Sequence, residues 1–461
     1  MNQLRSIGIV ADDLTGAGDS AVKFARTGWH TTLTLSGVGS VPGPHPPEVA
    51  TDPPAEEARS ATAIVTDARP MGATAATAST SRAVAELRSA GIERLFLKID
   101  STGRGSLESQ IRGALTAWRP ADDSAVAVVC PAYPSLGRTL ENGLILVHGV
   151  GVQSTAARHD PVTPVLSARI IDLIPGSANL DIQGGDAAHL ATRINESVRA
   201  GFCIVTVNAR TDGELDVIAA ATELLGPAAI PVGSAGLAGA LASLWAGSPQ
   251  PALPVSLTLA VDSWPASKTH RRMTVVVSSL HEVSRGQCRH LIEHAPAGTV
   301  RVLEPGIADL LDARTVAAWL ATNLGNALGA STVDLIVSPA IRGTDQTSAS
   351  LVRQGLAQIT QAVMGQTSYR HAGDAALVLV GGEGAGAVLL RLGASAIVVT
   401  GSLQEGIPVG VASGGILDGV TVVTKSGGFG QPGALTDLLP QLLASSAPEL
   451  PNDSNPKGAR P

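Results

Sequence analysis

The stretch IGIVADDLTGAGDSAVKFART, from Ile7 to Thr27, decides how this chain is read. Ile7, Ile9 and Val10 form a short buried strand. Asp12 and Asp13 fall where that strand ends, at the edge where α/β sheets place their ligands. Thr15, Gly16, Ala17 and Gly18 then open a helix that continues through Ala21, Val22, Phe24 and Ala25. Backbone N–H groups at such a helix start face an anion. One carboxylate would be enough to cap the helix. Two of them point to a site that both orients a polyol and handles phosphate.

Composition sets the frame. A chain of 461 residues favours two domains over one. It is 44% hydrophobic, 15% charged and only 2% aromatic, which describes an aliphatic core with many tight turns, as in α/β enzymes. The low charge argues against a disordered chain. A net charge of −7 gives no basic field for nucleic acid or an acidic membrane, and the few aromatics leave no base-stacking platform. Cys130, Cys203 and Cys288 lie far apart without metal or pairing spacing, and are expected as buried free thiols. The sequence runs into its first strand without an export signal, and no apolar run approaches a membrane span. A soluble cytoplasmic protein is expected, acting on small molecules and compatible with a homodimer.

The pattern predicts an α/β fold of two domains, each a mostly parallel sheet flanked by helices, with the active site in the cleft between them. Residues 1–250 form the N-terminal domain, 251–272 a Pro-rich linker or crossover, 273–443 the C-terminal domain and 444–461 a polar tail. In the first half, the strands at Ala63–Val65, Leu95–Ile99 and Ala125–Val129 all run into polar or turn-forming residues. Lys98 lies near the end of the second of these strands, Arg69 and Asp100 follow the first two, and Arg138 sits on a loop set by two prolines. Arg169–Leu173, Asn179–Ile182 and Cys203–Val207 read as further strands. In the second half, strands are expected at Thr274–Val277, Thr299–Leu303, Asp334–Val337, Ala376–Val380, Ala396–Thr400 and Val420–Thr424.

Two glycine clusters in the second half follow such strands. Gly381–Gly386 opens a helix, so free N–H groups and the helix dipole favour phosphate oxygens. Gly427–Gly430 follows Lys425, read here as a mobile positive charge beside a glycine turn. Neither fits the Gly-Lys-Ser/Thr phosphate-loop pattern, and a hydride-transfer cofactor lacks its acidic partner. His290, Glu293 and His294 match a His-x-x-Glu-His zinc pattern. Three fixed positions arise easily on one helix, and an exposed helix face is the expectation.

Taken together, the motifs resemble the four-carbon acid sugar kinase family. The resemblance is carried by Ala11–Ala17, Thr66–Arg69, Lys98–Gly105, Pro131–Pro134 with Gly137–Thr139, Gly233–Gly236, Glu405–Pro408 and Lys425–Gly430. It implies ATP-dependent phosphorylation of the terminal C4 hydroxyl of threonate, erythronate or 3-oxo-tetronate, with Mg²⁺ on the phosphates. It further implies that Asp12, Asp13, Arg69, Lys98, Asp100 and Arg138 form the sugar-acid site. Nucleotide contacts fall to Ser278, Ser279, Gly381, Gly382, Glu383, Gly384, Lys425, Gly427 and Gly428. Two departures stand out: Ser278-Ser279-Leu280 where the family has Ser-Gly-Ser, and Gly384 where it has Thr.

Charge then assigns roles. Arg69, Lys98 or Arg138 holds the substrate carboxylate. Asp13, with Asp12 or Asp100 as its rival, orients the hydroxyl and takes its proton. The double change Ser279→Gly with Leu280→Ser is expected to lower the KM for ATP, with Gly384→Thr adding to it. Two other readings stay open on sequence. One is a ribokinase-type sugar kinase, from the run Gly16-Ala17-Gly18-Asp19, although that run lies early rather than late in the chain. The other is a sugar-acid sensor descended from a kinase.

Overall fold

The computed structural model describes residues 4–35, 59–118, 125–160, 162–182, 186–247, 270–324, 331–340, 346–366 and 375–444, apart from the side chains at 346, 347 and 383. The N-terminal half contributes eight parallel strands to the main sheet. They are β1 (Ser6–Ala11), β2 (His30–Leu35), β3 (Ser60–Val65), β4 (Arg94–Lys98), β5 (Val126–Cys130), β9 (Ala178–Leu180), β10 (Ile204–Val207) and β11 (Ala229–Gly233). A separate antiparallel sheet, β6 (Arg138–Glu141), β7 (Leu144–Val147) and β8 (Val150–Gly151), follows β5. The C-terminal half adds β12 (Arg272–Val277), β13 (Val300–Leu303), β14 (Val333–Val337), β15 (Ala375–Val380), β16 (Ala396–Gln404), β17 (Ile407–Ser413) and β18 (Thr421–Lys425).

These strands form one sheet of 15, in the order β13-β14-β12-β15-β18-β17-β16-β2-β3-β1-β4-β11-β5-β10-β9. Each half is mostly parallel with flanking helices, as the alternating pattern implies. What the sequence does not announce is the join. β16 pairs antiparallel with β2 from Ala396↔Thr34 to Val399↔Thr31, so the two halves share one hydrogen-bonded sheet. Counting the antiparallel steps through β17 and β16, the parallel strands of one half run against those of the other. A twist of about 20–25° per strand, summed over the six steps from β15 to β1, is roughly 120–150°. That rotation swings the C-terminal ends of both strand sets toward one cleft.

The core follows from the strands. β1 is buried on both faces, as a central parallel strand must be. Ile7, Ile9 and Ala11 point into an apolar cluster that runs through both halves and includes Phe24, Trp245, Leu377, Leu389 and Ile397. Val10 points the other way, into a cluster confined to the first half with Ile64, Leu97, Val129 and Ile230. The second half has its own cluster on Met273, Val275, Val378 and Val423.

Two local expectations change, and two strands, β11 and β17, were not expected. Arg169–Leu173 is not a strand: Ile170–Leu173 is a single helical turn. Its i,i+4 spacing lets Ile170 and Ile174 both enter the first-half cluster. β11 and β17 carry Pro231, Pro408 and Gly410, residues that argue against strands. Gly410 is needed there, because a Cβ would come 2.5 Å from the Val398 carbonyl of β16. Cys203 is exposed, while Cys130 and Cys288 are buried. On the helix Glu282–His294, His290 stacks on His294 with ring centroids 3.9 Å apart, and its Nδ1 lies 2.9 Å from Thr436 Oγ1. Among the described residues no helix is long and apolar enough to cross a membrane. The linker expected at 251–272 lies outside the described residues apart from 270–272, and the tail beyond Ala444 lies outside them entirely.

Candidate active site

Three neighbouring parallel strands deliver the polar residues of the first half. β3, β1 and β4 lie side by side, and their C-terminal ends carry Thr66–Arg69, Asp12–Asp13 and Lys98–Thr102. Thr66 locks the first two together, its N–H and hydroxyl both donating to the Ala11 carbonyl at 2.9 Å. Asp67 turns the chain through the left-handed region, φ 50°, and the Arg69 N–H then donates to the Asp12 carbonyl at 3.2 Å. This turn aims the Arg69 guanidinium at both carboxylates. Nε and Nη2 donate to Asp12 at 2.9 and 2.8 Å, and Nη1 and Nη2 donate to Asp13 at 2.8 Å each.

Asp13 also caps the helix Leu14–Arg26, accepting from the Gly16 N–H at 2.9 Å and from the Thr15 hydroxyl at 2.6 Å. Counting the two bonds from Arg69, four donors meet a carboxylate with about four acceptor sites. Asp100 is bound likewise by Arg104 at 2.8 and 3.1 Å and by the Thr102 N–H at 3.0 Å, and Arg104 extends to Asp160 at 3.0 Å.

The charges follow from these partners. For Asp13, burial opposes the ionised form, but Arg69, Lys98 and the Thr15 hydroxyl outweigh it and hold the carboxyl below its ordinary range. Asp100 is held well below, with Arg104 and Arg69 overriding burial. At Asp12, 1% exposed, burial wins and the carboxyl is raised. The proton-accepting role expected of Asp13 or Asp100 therefore meets an objection. Both are saturated with donors and depressed in basicity.

Lys98 and Arg138 differ from Arg69 and Arg104. Both line the cleft, yet among the described residues neither forms an ion pair. Lys98 donates to the Ile99 carbonyl at 2.9 Å, and Arg138 donates to Ser101 Oγ at 2.6 Å. Their positive charge is available to a ligand.

The second half supplies the facing wall. β12, β15 and β18 are adjacent and parallel, and their ends carry Ser278-Ser279, Gly381 and Ser426-Gly427. Gly381, at φ 100°, turns into the helix Gly382–Arg391, whose first N–H groups have no intrahelical acceptor. The glycines interlock with the two serines. A Cβ at Gly384 would overlap the Ser278 side chain, and one at Gly427 would overlap Ser279. The Ser279 hydroxyl accepts the His281 N–H at 3.1 Å, and Gly428 packs beside the His281 ring. In this chain a side chain at 384 has no room beside Ser278, so the expected gain from Gly384→Thr becomes an expected loss. The Glu383 side chain lies outside the described residues.

Lys425 is corrected as well. It is fully buried rather than mobile, and its amine donates to the Ser426 carbonyl at 2.9 Å. Burial pushes its pKa down to about 8. It holds the turn from below and does not line the cleft.

The two walls meet in a cleft of about 760 Å³. A Cβ on Gly382 would stand 3.3 Å from Asp13 Oδ2, so the helix start of one half abuts the Asp-Asp turn of the other. The helix Leu14–Arg26 carries the seam. Lys23 reaches Glu405 at 2.7 Å and Arg26 reaches Ser402 at 2.9 Å, both on the β16–β17 hairpin. The Tyr133 hydroxyl donates to the same Glu405 at 2.5 Å. Sequence reasoning quoted Tyr133, Arg104 and Glu405 within motifs but gave them no role, because their partners lie up to 382 residues away.

Comparison with known proteins accords with this division. Residues 7–241 match the model of a sugar-binding N-terminal domain, and residues 274–435 match that of a nucleotide-binding C-terminal domain. A D-threonate kinase of Bordetella bronchiseptica is 39% identical over 92% of this chain and 94% of its own. The chain belongs to the four-carbon acid sugar kinase family. Further members are a 3-oxo-tetronate kinase of Pseudomonas fluorescens, 25% identical over 96% of this chain and 98% of its own, and a D-erythronate kinase of Heliobacterium modesticaldum, 27% identical over 97% and 99%.

A kinase family implies Mg²⁺. Among the described residues no group of three or more His, Cys, Asp or Glu side chains is placed to hold a metal ion. No protein ligand is assigned to the ion.

Proposed function

We propose that this cleft transfers the γ-phosphate of ATP to the terminal C4 hydroxyl of a four-carbon sugar acid, with D-threonate, D-erythronate and 3-oxo-tetronate as the candidate acceptors. The observation that carries the reading is the abutment of Gly382 on Asp13, which puts a phosphate-type helix start against a polyol-type carboxylate cluster. Phosphoryl transfer needs little beyond such positioning and charge neutralisation.

In this reading Lys98 and Arg138, which form no ion pair among the described residues, receive the substrate carboxylate. Asp12, Asp13 and Asp100, held rigid by Arg69 and Arg104, form the floor that sets the sugar's orientation. Ser278, Ser279 and the N–H groups of Gly381–Gly384 and Gly427–Gly428 receive the nucleotide phosphates. The relative with the highest identity among those named makes D-threonate the first acid to test.

The test is purified protein with Mg-ATP and a panel of D- and L-threonate, D-erythronate and 3-oxo-tetronate. Acid-dependent ADP release is expected, with a phosphate monoester whose ³¹P signal couples to the C4 protons. ATP turnover that no acid stimulates would refute the reading. A phosphate on C2 or C3 would refute the C4 assignment alone.

A further inference from the structure

Asp19 lies on the helix Leu14–Arg26, more than one turn beyond its Asp13 cap, and lines the cleft. It differs from the three carboxylates on the strand ends. Among the described residues no donor is hydrogen-bonded to its carboxylate and no cation is ion-paired with it, whereas Asp12, Asp13 and Asp100 are each gripped by an arginine. Its electron pairs are open to a ligand.

Its position is also the right one. Gly18, the preceding residue, faces the other half of the protein. A Cβ there would stand 3.0 Å from Pro408 and 3.2 Å from Thr424 Oγ1. Asp19 is therefore at the seam, where an acceptor held by the first half must meet a phosphate held by the second. The charged groups around it come from four directions. The charges of Lys98, at the end of β4, and Lys23, on its own helix, favour the carboxylate, while those of Asp13 and the hairpin's Glu405 oppose it. The Tyr133 hydroxyl also feels its charge, and is itself kept protonated by burial and by Glu405.

We propose that Asp19 is the catalytic base of the transfer, an assignment that rests on the kinase reading above. As the C4 oxygen attacks the γ-phosphorus, its proton passes to the Asp19 carboxylate. The new O–P bond forms while the bond from the γ-phosphorus to the β,γ-bridging oxygen breaks, and ADP departs with that electron pair. The proton then leaves Asp19 for solvent through the cleft.

Burial suits the carboxyl to this task, lifting it to about 7 against the pull of Lys98. A base with a pKa near the working pH both carries the right charge and holds a proton well enough to drive transfer. Asp13, poorer in basicity and already accepting four bonds, does neither.

The experiment compares wild type, Asp19→Asn and Asp19→Glu. Asp19→Asn is expected to lower kcat by about 10²-fold or more, as loss of a general base does. Calorimetric affinity for ATP and for the sugar acid should stay within about threefold, and the melting temperature should hold. Wild-type kcat should rise with pH through about 7 and then level. The second ionisation of a phosphate group, near about 6, can mimic that limb, so the variant decides. Asp19→Asn should lose the limb, and Asp19→Glu should keep it with part of the rate. If wild type turns over while Asp19→Asn keeps more than a tenth of kcat, or keeps the limb, the assignment to Asp19 falls and the kinase reading stands. If wild type fails with every acid, both fall.

Discussion

Arg69→Met is the most revealing single change, because Arg69 is at once a cleft residue and the counter-charge of two carboxylates. Its guanidinium makes four hydrogen bonds to Asp12 and Asp13, and is only 15% exposed. Methionine keeps most of the volume and removes every donor. Asp12 and Asp13 are then left side by side, the first wholly enclosed. Breaking a buried ion pair from one side costs about 3–5 kcal/mol. With an unfolding entropy of about 2.1 cal/mol/K per residue, each kcal/mol moves the melting temperature of a 461-residue chain by about 1 °C, so a fall of roughly 3–5 °C is expected at pH 7.

The sign with pH follows from the carboxyls. In wild type, Asp13 is held below its ordinary value, so its stabilisation is present above about 4 and is lost only as pH falls through the lowered folded value. Without Arg69, burial raises both carboxyls, and the variant relieves its penalty by taking up protons as pH falls. The gap between wild type and variant should be widest at pH 7 and narrow toward pH 4. Calorimetric melts at several pH values measure it. The triple variant Arg69→Met, Asp12→Asn, Asp13→Asn should recover most of the loss, since neutral amides carry no buried charge. A triple variant no more stable than Arg69→Met, or a gap constant with pH, would refute the charge argument. Any loss of sugar-acid binding in Arg69→Ala must accordingly be compared with Lys98→Ala, which removes no counter-charge from an ion pair.

Two further outcomes follow from contacts. Gly384→Thr should raise the KM for ATP at least tenfold and destabilise the fold by about 1–3 kcal/mol, because its Cβ overlaps Ser278; adding Ser278→Gly should restore stability, as thermal melts and ATP titrations would show. Glu405→Gln should cost no more than about 1 kcal/mol, since Glu405 is 45% exposed and its pairing with Lys23 is screened; that cost should vanish as pH falls below about 4.5 through the depressed Glu405 value, checked by melts at pH 7 and pH 4.

Legibility in the sequence tracked distance along the chain. The strand ends were readable because apolar runs such as Ile7–Val10 and Leu95–Leu97 stop abruptly at charged residues, and parallel sheets bring such stops to one edge. The glycine turns were readable for the same reason. The pairings were not. Nothing near Asp12 in sequence indicates that Arg69 will occupy it, and nothing near Gly384 indicates that Ser278 needs its missing Cβ. Lys425 looked mobile because a lysine at a strand end usually reaches water; here it pairs with Val380 of β15, lies beside Gly430 and is fully buried. Asp19 was quoted only as part of a misplaced motif, since its value lies in what does not touch it. The strand at Ile407–Ser413 was hidden by a proline and a glycine that the neighbouring backbone requires.

The ladder between β2 and β16 has a consequence for what counts as a module in this protein. A division at the crossover leaves β2 as the outermost strand of one fragment and β16 as that of the other, each with a bare row of N–H and C=O groups. Such rows recruit whatever strand is available. Each half, expressed alone, therefore carries the other's docking template, and two copies of the full chain could satisfy the same templates by trading halves. Independent sequence patterns do not make independent folding units here, because the last hydrogen-bonded step of each half belongs to its neighbour.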